Sequence, residues 1–404
     1  MTILSPANRA ILAPAASKLL WWLRDDAWPL WLAQGIDRAH AGFHEHLALD
    51  TVASTAGFRR LRVVTRQIIV FAEAARLEHD GLPPAARIAA LEAVSLGLAF
   101  LDRFARTPTG GYAWRFDLKG AVTDARHDLY DHAFVLLALA TAYRVLPSST
   151  LRAEVQSLDR FLQGKLRHRG LAYLEGLPPS LPRRQNPHMH LVEAYLAAAE
   201  AFDEPQFLER ADELVEVFLS HLFQWHEGAL PEFYDDRLTP LREGGRFVVE
   251  PGHHAEWVWL LDWHGSLCRR RGRVPPPESR HAIRALLHFI DNHGLHPETG
   301  ALFDEVWSDG APRATGARLW PQTERLKAEL VRPDATTARI GSAFAVLEPY
   351  LDIEPRGLWY ERRVAEGHFT RDHAPASSLY HLTCAGVLAH RLLASPRHRE
   401  GSPA

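Results

Sequence analysis

Two segments of this chain set a histidine and a glutamate three residues apart inside otherwise apolar runs. In Glu250-Pro251-Gly252-His253-His254-Ala255-Glu256-Trp257 the pair is His253 and Glu256, and in Asn186-Pro187-His188-Met189-His190-Leu191-Val192-Glu193 it is His190 and Glu193. Residues three apart on a helix share a face. Pro251 can open a helix, because its missing N–H falls in the first turn, where the helix dipole is positive. Burying an imidazole and a carboxyl without partners is costly, so His253 and Glu256 are expected to face each other or a polar ligand. The plainer reading is a helix cap with a satisfied histidine. For His190 the choice lies between pocket and core, and His188, nearer the loop, is expected to be exposed.

A third histidine, His381, interrupts the apolar run Ser378-Leu379-Tyr380-His381-Leu382-Thr383-Cys384 and is a candidate acid or base. Imidazole suits that work because its ordinary pKa of about 6.5 keeps both protonation states within reach near neutrality. Arg66, one turn after Arg62 in an apolar stretch, needs an acidic partner or a polyol ligand. Tyr130 and His132 could line the same cavity. Trp320 and Glu324, four apart, put an aromatic surface and a carboxylate on one side of a helix. Core packing or a solvated helix end is the structural alternative for these. The chain has no phosphate-cradling glycine loop with a lysine, no dinucleotide glycine pattern after a strand and no His-Glu-x-x-His motif. Local spacing indicates no three-ligand zinc site, so neither a metal nor another cofactor is expected.

These residues recur in phase with a repeat. Glycine followed by an alternating aromatic or apolar stretch begins at Gly42, Gly111, Gly170, Gly228, Gly300 and Gly357, at intervals of 69, 59, 58, 72 and 57 residues. Each interval fits two helices of about 15 to 20 residues with their connections. Apolar positions between the motifs follow three- and four-residue steps, as in Leu129, Ala133, Leu136, Leu137 and Ala140. Asn186 before Pro187 is read as a cap, and Pro333-Asp334 as a first turn. Six helix pairs forming two concentric rings give an all-α (α/α)6 barrel, a six-hairpin toroid with short β-hairpins or extended loops at one end. An open solenoid would need polar capping repeats. The first repeat instead carries Trp21, Trp22, Trp28 and Trp31, and the last Leu379, Leu382, Val387 and Leu388, which favours closure.

The 404 residues are 47% hydrophobic and 24% charged, a profile that fits one globular domain over 1–404, with 396–404 set apart as a flexible tail. No basic stripe accompanies the net charge of −3; Arg269-Arg270-Arg271-Gly272-Arg273 reads as a helix end, so no nucleic-acid partner is expected. No unbroken run of 18 apolar residues and no signal-like start argue against a membrane and for the cytoplasm. Cys268 and Cys384 lie in apolar helical runs and are expected to be reduced.

Taken together, Arg62 to Phe71, Gly110-Gly111-Tyr112 with Tyr130-Asp131-His132, Asn186 to Ala194, Pro251 to Trp257, Trp320-Pro321-Gln322-Thr323-Glu324 and Tyr380-His381-Leu382 resemble the N-acylglucosamine 2-epimerase superfamily over roughly residues 15 to 395. The resemblance implies cofactor-independent isomerisation or epimerisation of a small-molecule sugar by a monomer or homodimer. It implies that His253 and His381 are paired acid/base histidines, that Arg66, His190, Glu256 and Glu324 surround them, and that a loop arginine, Arg246 or Arg242, covers the pocket. Pro375 to His381 and Trp257-Val258-Trp259 look closer to the mannose isomerase-like members. The expected reaction is therefore the interconversion of D-mannose and D-fructose through a cis-enediolate, with Glu256 orienting His253. A 2-epimerase is the alternative, and a glycoside hydrolase or lyase using Glu256 and Glu324 is a more distant one.

Overall fold

The computed structural model describes residues 4–77 and 80–394; the tail from 396 lies outside the described residues. Among them the helices alternate between an outer and an inner ring. The outer ring holds α1 (Pro6–Trp21), which runs through a wide turn into α2 (Trp28–Gln34), then α4 (Pro84–Phe100), α6 (Ser149–Phe161), α8 (Pro205–Val217), α10 (Glu278–Phe289) and α12 (Thr337–Leu351). The inner ring holds α3 (Leu61–Arg76), α5 (Leu129–Tyr143), α7 (Gln185–Phe202), α9 (Pro251–Arg270), α11 (Leu319–Val331) and α13 (Ala376–Leu393). The inner helices pack in that order and α13 returns to α3, so the ring is closed.

The two rings follow from composition. Every residue of α5 from Leu129 to Ala142 is buried, because an inner helix touches protein on all sides. In α10 burial is confined to Ser279, Ala282, Ile283, Leu286, Leu287 and Phe289, while Arg280, His281, Arg284 and His288 face water. The stretch Pro84–Ala105 has a mean hydropathy of 1.5, long and apolar enough to cross a membrane, although Arg87 and Glu92 break any continuous apolar run. Here it is an outer helix that buries Ala90, Ala93, Val94, Gly97 and Phe100 beside α3.

Helices α4, α6, α8 and α10 each end in a wide π turn, with Arg106 N–H reaching the Leu101 carbonyl at 3.0 Å and Phe223 N–H reaching that of Phe218 at 2.9 Å. Each turn delivers the chain to a glycine-aromatic motif. The expected hairpins prove to be mostly links between neighbours: the strand before each inner helix pairs antiparallel with the following repeat's motif. Phe58–Arg60 pairs with Arg115–Asp117, His127–Asp128 with Gly176–Leu177, and Arg183–Arg184 with Phe233–Tyr234. Val248–Val249 pairs with Glu305–Trp307, Ala317–Arg318 with Arg362–Arg363, and His373–Pro375 with His46–Ala48, which joins last repeat to first.

Two helix starts differ from expectation. α7 begins at Gln185 with Arg184 as its cap, so Asn186 is already inside the first turn and does not cap it. α12 begins at Thr337, capped by the Thr336 hydroxyl, while Pro333-Asp334 forms the preceding turn, where Asp334 pairs with Arg332 at 2.7 Å. Before α7 the pairing of Arg183–Arg184 with Phe233–Tyr234 keeps the backbone extended through residue 184, so the helix starts directly after it; before α12 the Thr336 hydroxyl supplies the cap three residues beyond Pro333. Both cysteines are free thiols.

Candidate active site

Because the six inner helices are parallel and start in register, equivalent positions form layers across the barrel. The sixth residues are Arg66, Phe134, His190, Glu256, Glu324 and His381, all buried. They touch around the axis. Arg66 lies 4.4 Å over the Phe134 ring, Phe134 and His190 rings are 4.5 Å apart, and His190 Nδ1 is 3.7 Å from Glu256 Oε1. On the far side, Glu324 Oε1 accepts from His381 Nδ1 at 2.7 Å. Five of the six were singled out from sequence; Phe134 is the apolar exception.

His253 stands one layer higher, as the third residue of α9. It shares the indole of Trp320 with His381, at centroid distances of 4.9 and 5.6 Å, so the two imidazoles cannot be farther apart than those distances laid end to end. Trp320 reaches this place because position 252 is glycine: a Cβ there would meet its Cη2 at 2.7 Å.

The two histidines carry opposite charge states. Burial works against the His253 imidazolium, but the charges of Glu232 and Glu250 and the 2.9 Å bond from Nδ1 to Glu232 outweigh it and raise the pKa to about 9. Burial dominates at His381 and lowers its pKa to about 3, despite the Glu324 bond. Burial also opposes ionisation of Glu324, yet Lys327 at 2.6 Å from Oε2 and the bond from His381 bring that carboxyl down to about 2. Near neutrality His253 is thus an imidazolium and His381 a neutral imidazole whose Nδ1–H is held by a carboxylate, leaving Nε2 as its basic nitrogen.

The expected partnership of Glu256 with His253 is not formed. His253 bonds to Glu232, from the preceding glycine-aromatic motif, and neither Glu256 oxygen has a hydrogen-bond partner among the described residues. The acid at this motif position has a repeated job. Glu45 accepts from the N–H and Nε of Arg60 at 2.6 and 2.7 Å, Asp304 from those of Arg318 at 2.8 and 2.9 Å, and Glu175 binds Arg184 in the same way. Before α9 the arginine is replaced by Glu250, which frees Glu232 to hold a histidine. That break in the pattern was the sequence signal for Glu232. Lys327 was also missed, although it lies three residues beyond Glu324 in a helix buried from Pro321 to Val331.

Arg66 donates to the Tyr130 hydroxyl at 2.5 Å and the Ser377 carbonyl at 3.3 Å, both neutral, and its buried Nε has no partner among the described residues. His190 bonds through Nδ1 to Glu193 at 3.0 Å, and burial takes its pKa down to about 4. Neither loop arginine enters this layer: Arg246 lies 3.5 Å from Asp309 over the Trp307 ring, and Arg242 pairs with Glu227 at 2.7 Å. His132 does not line the cavity either. It accepts from Tyr112 N–H at 3.0 Å, as His188 does from Tyr173 and His254 from Leu230, each the fourth residue of its helix. His188 is accordingly buried, not exposed, because it fastens a motif to its helix.

Three groups bring three metal-type donor atoms within 4.8 Å: His190 with Glu193 and Glu256, Glu232 with Glu250 and His253, and Asp212 with His264 and Cys268. In the first two, His190–Glu193 and His253–Glu232 already bond to each other. A separate cavity of about 370 Å³ opens at the other end of the inner helices, among Glu73, Arg76, Arg144 and Glu200. Glu193, Trp259 and Lys327, the ninth residues of α7, α9 and α11, form its inner wall.

Comparison with known proteins gives a consistent assignment. A family model described as N-acylglucosamine 2-epimerase (GlcNAc 2-epimerase) matches residues 42–385. A protein of Rhizobium meliloti (strain 1021) named mannose-6-phosphate isomerase is 36% identical over 384 residues, covering 92% of this chain and 95% of that one. A D-mannose isomerase of Thermobifida fusca is 33% identical over 208 residues, 46% of this chain and 49% of its own. Among solved structures, cellobiose 2-epimerase from Bacillus thermoamylovorans B4167 superposes with a TM-score of 0.81 at 18% identity, over 93% of this chain and 99% of that one, and shares the fold.

Proposed function

The chain belongs to the N-acylglucosamine 2-epimerase family, and from that membership we propose that it is an aldose–ketose isomerase interconverting D-mannose and D-fructose. The observation that carries this reading is the placement of His253 and His381, in opposite charge states, against one indole. Isomerisation moves hydrogen between adjacent carbons with no net redox change, so acid and base groups are enough and no cofactor is required.

In the opened sugar, neutral His381 removes the C2 proton through Nε2, its tautomer fixed by Glu324. The imidazolium of His253 donates to O1 as charge develops there, giving the cis-enediol. His381 then returns its proton to C1 while His253 recovers one from O2, leaving the C2 ketone. Arg66, which has no carboxylate partner, stabilises the transient oxyanion. Trp320 offers its face to the apolar side of the sugar; unlike most of its neighbours it is only half-buried.

Free mannose is preferred to its 6-phosphate on electrostatic grounds, although a relative is named for the phosphate ester. Four arginines at the barrel's N-terminal end are committed to carboxylates: Arg60 to Glu45, Arg62 to Asp131, Arg184 to Glu175 and Arg318 to Glu250 and Asp304. A phosphate dianion is normally met by unpaired guanidinium groups. We further propose that the barrel is one catalytic domain working as a monomer or homodimer in the cytoplasm.

Incubation with mannose in D₂O without added metal, followed by NMR, tests the reading. Fructose is the expected product. Glucose carrying deuterium at C2 would establish an epimerase, in which the second histidine works on the opposite face of C2. Turnover of mannose 6-phosphate alone would overturn the preference for the free sugar.

A further inference from the structure

The inner-helix layers below His253 carry more acid than base. Glu193, Glu256 and Glu324 are all buried there, and the buried lysine among them, Lys327, is 2.6 Å from Glu324 Oε2 with its ammonium 3.9 Å over the Trp259 ring. Glu324 is fully occupied, accepting from His381 through Oε1 and from Trp259 Nε1 at 2.8 Å through Oε2. Glu193 accepts from His190 Nδ1 through Oε2 and from the Tyr380 hydroxyl through Oε1. Glu256 has neither a donor nor an ammonium beside it. Its nearest ring nitrogen, His190 Nδ1 at 3.7 Å, is already engaged by Glu193 at 3.0 Å.

An ionised group with two orphaned oxygens, in a buried layer that holds two other carboxylates, is among the least favourable arrangements in a protein interior. We propose that Glu256 is held as a neutral carboxylic acid whose hydroxyl, unpartnered within the protein, donates a hydrogen bond to an oxygen of the bound sugar. Resting on the isomerase reading, this gives Glu256 a role different from orienting a histidine: it meets the substrate directly as an uncharged donor. The groups that face it bear this out by sign. Burial comes first in favouring the acid, and the charges of Glu324 on α11 and Glu193 on α7 add to it. Lys327 and the His253 imidazolium oppose it without prevailing, so its pKa lies well above the ordinary value. His190 and His381 are neutral at pH 7, as their pKa values of about 4 and 3 require, and Tyr380, its hydroxyl given to Glu193, keeps its proton. The charge on Lys327 is spent on Glu324, which leaves the remaining acid to keep its proton.

Infrared difference spectroscopy of the substrate-free protein at neutral pH tests this independently of any activity. Wild type minus Glu256→Gln is expected to show the carbonyl band of a protonated carboxyl, shifted in D₂O, and Glu256→Asp, a second variant, should move that band rather than remove it. Loss of a carboxylate band instead would overturn the proposal. In turnover, Glu256→Gln, which keeps a neutral donor, should stay within about tenfold of wild-type kcat/KM, whereas Glu256→Ala should lose about 10²-fold or more. Equal losses in both would also overturn it. So would stoichiometric Mn²⁺ binding that disappears in Glu256→Gln, since a cation between Glu193 and Glu256 would require both to be ionised. If mannose is not a substrate, the spectroscopic result still decides the protonation state.

Discussion

Glu232 accepts a 2.9 Å hydrogen bond from His253 at the place in the repeat where Glu45, Glu175 and Asp304 each clasp an arginine. One substitution at a helix cap, Glu250 for arginine, thus converts a structural clasp into the partner of a pocket histidine. Replacing Glu232 by Gln removes the largest of the nearby charges that raise the His253 pKa. Activity that depends on the imidazolium falls in wild type as pH rises through about 9, and in Glu232→Gln it should fall at a lower pH, toward the ordinary imidazole value of about 6.5. The stability linkage has the same sign: because the folded-state pKa is raised, the contribution is complete below about 6.5 and is lost as pH rises through 9. Melting temperature against pH should lose that alkaline decline in the variant.

His253→Asn and His381→Asn should each lower kcat by about 10²- to 10⁴-fold while leaving the far-ultraviolet circular dichroism of the folded barrel unchanged. Near-normal turnover in either would remove that residue from proton transfer.

Gly252→Ala should reduce kcat/KM although residue 252 has no functional group. The new Cβ would lie 2.7 Å from the Trp320 indole, so the ring shared by both histidines must shift. Overpacking of this kind costs about 1–3 kcal/mol, and a denaturation midpoint measured beside the kinetics separates lost stability from lost positioning.

Lys327→Met breaks a buried ion pair and leaves the His381 acceptor without its counter-ion. Stability should fall by about 3–5 kcal/mol in chemical denaturation, with turnover reduced most at low pH and recovering as pH rises, because without the ammonium Glu324 holds a proton more readily and then no longer fixes the His381 tautomer.

The fourth-position histidines give a purely structural test. His254→Ala leaves the buried Leu230 N–H unsatisfied, at a cost of about 1–3 kcal/mol. His254→Gln should recover most of it, since Gln322 holds the Leu302 N–H in just this way at 2.8 Å one repeat later.

Much of this arrangement is legible in the chain itself. The glycine spacing and helical periodicity determine six helix pairs, and polar residues recurring at the starts of apolar helices single out Arg66, His190, Glu256, Glu324 and His381 as pocket candidates, which the structure places in one layer. A repeat sets register, and register sets which positions meet. Partner choice was decided only by the tertiary structure. Spacing along α9 suggested that Glu256 serves His253, yet the carboxylate that reaches it comes from Glu232 across a loop, and Glu256 is left to the pocket. His132 and His188 lie at the fourth position of their helices and His190 at the sixth, about half a turn apart, and what separates their roles is where a neighbouring motif presents its N–H. Local sequence fixes the direction of a side chain along its helix; which group waits at the other end is settled by chain segments dozens of residues away, brought there by closing the ring.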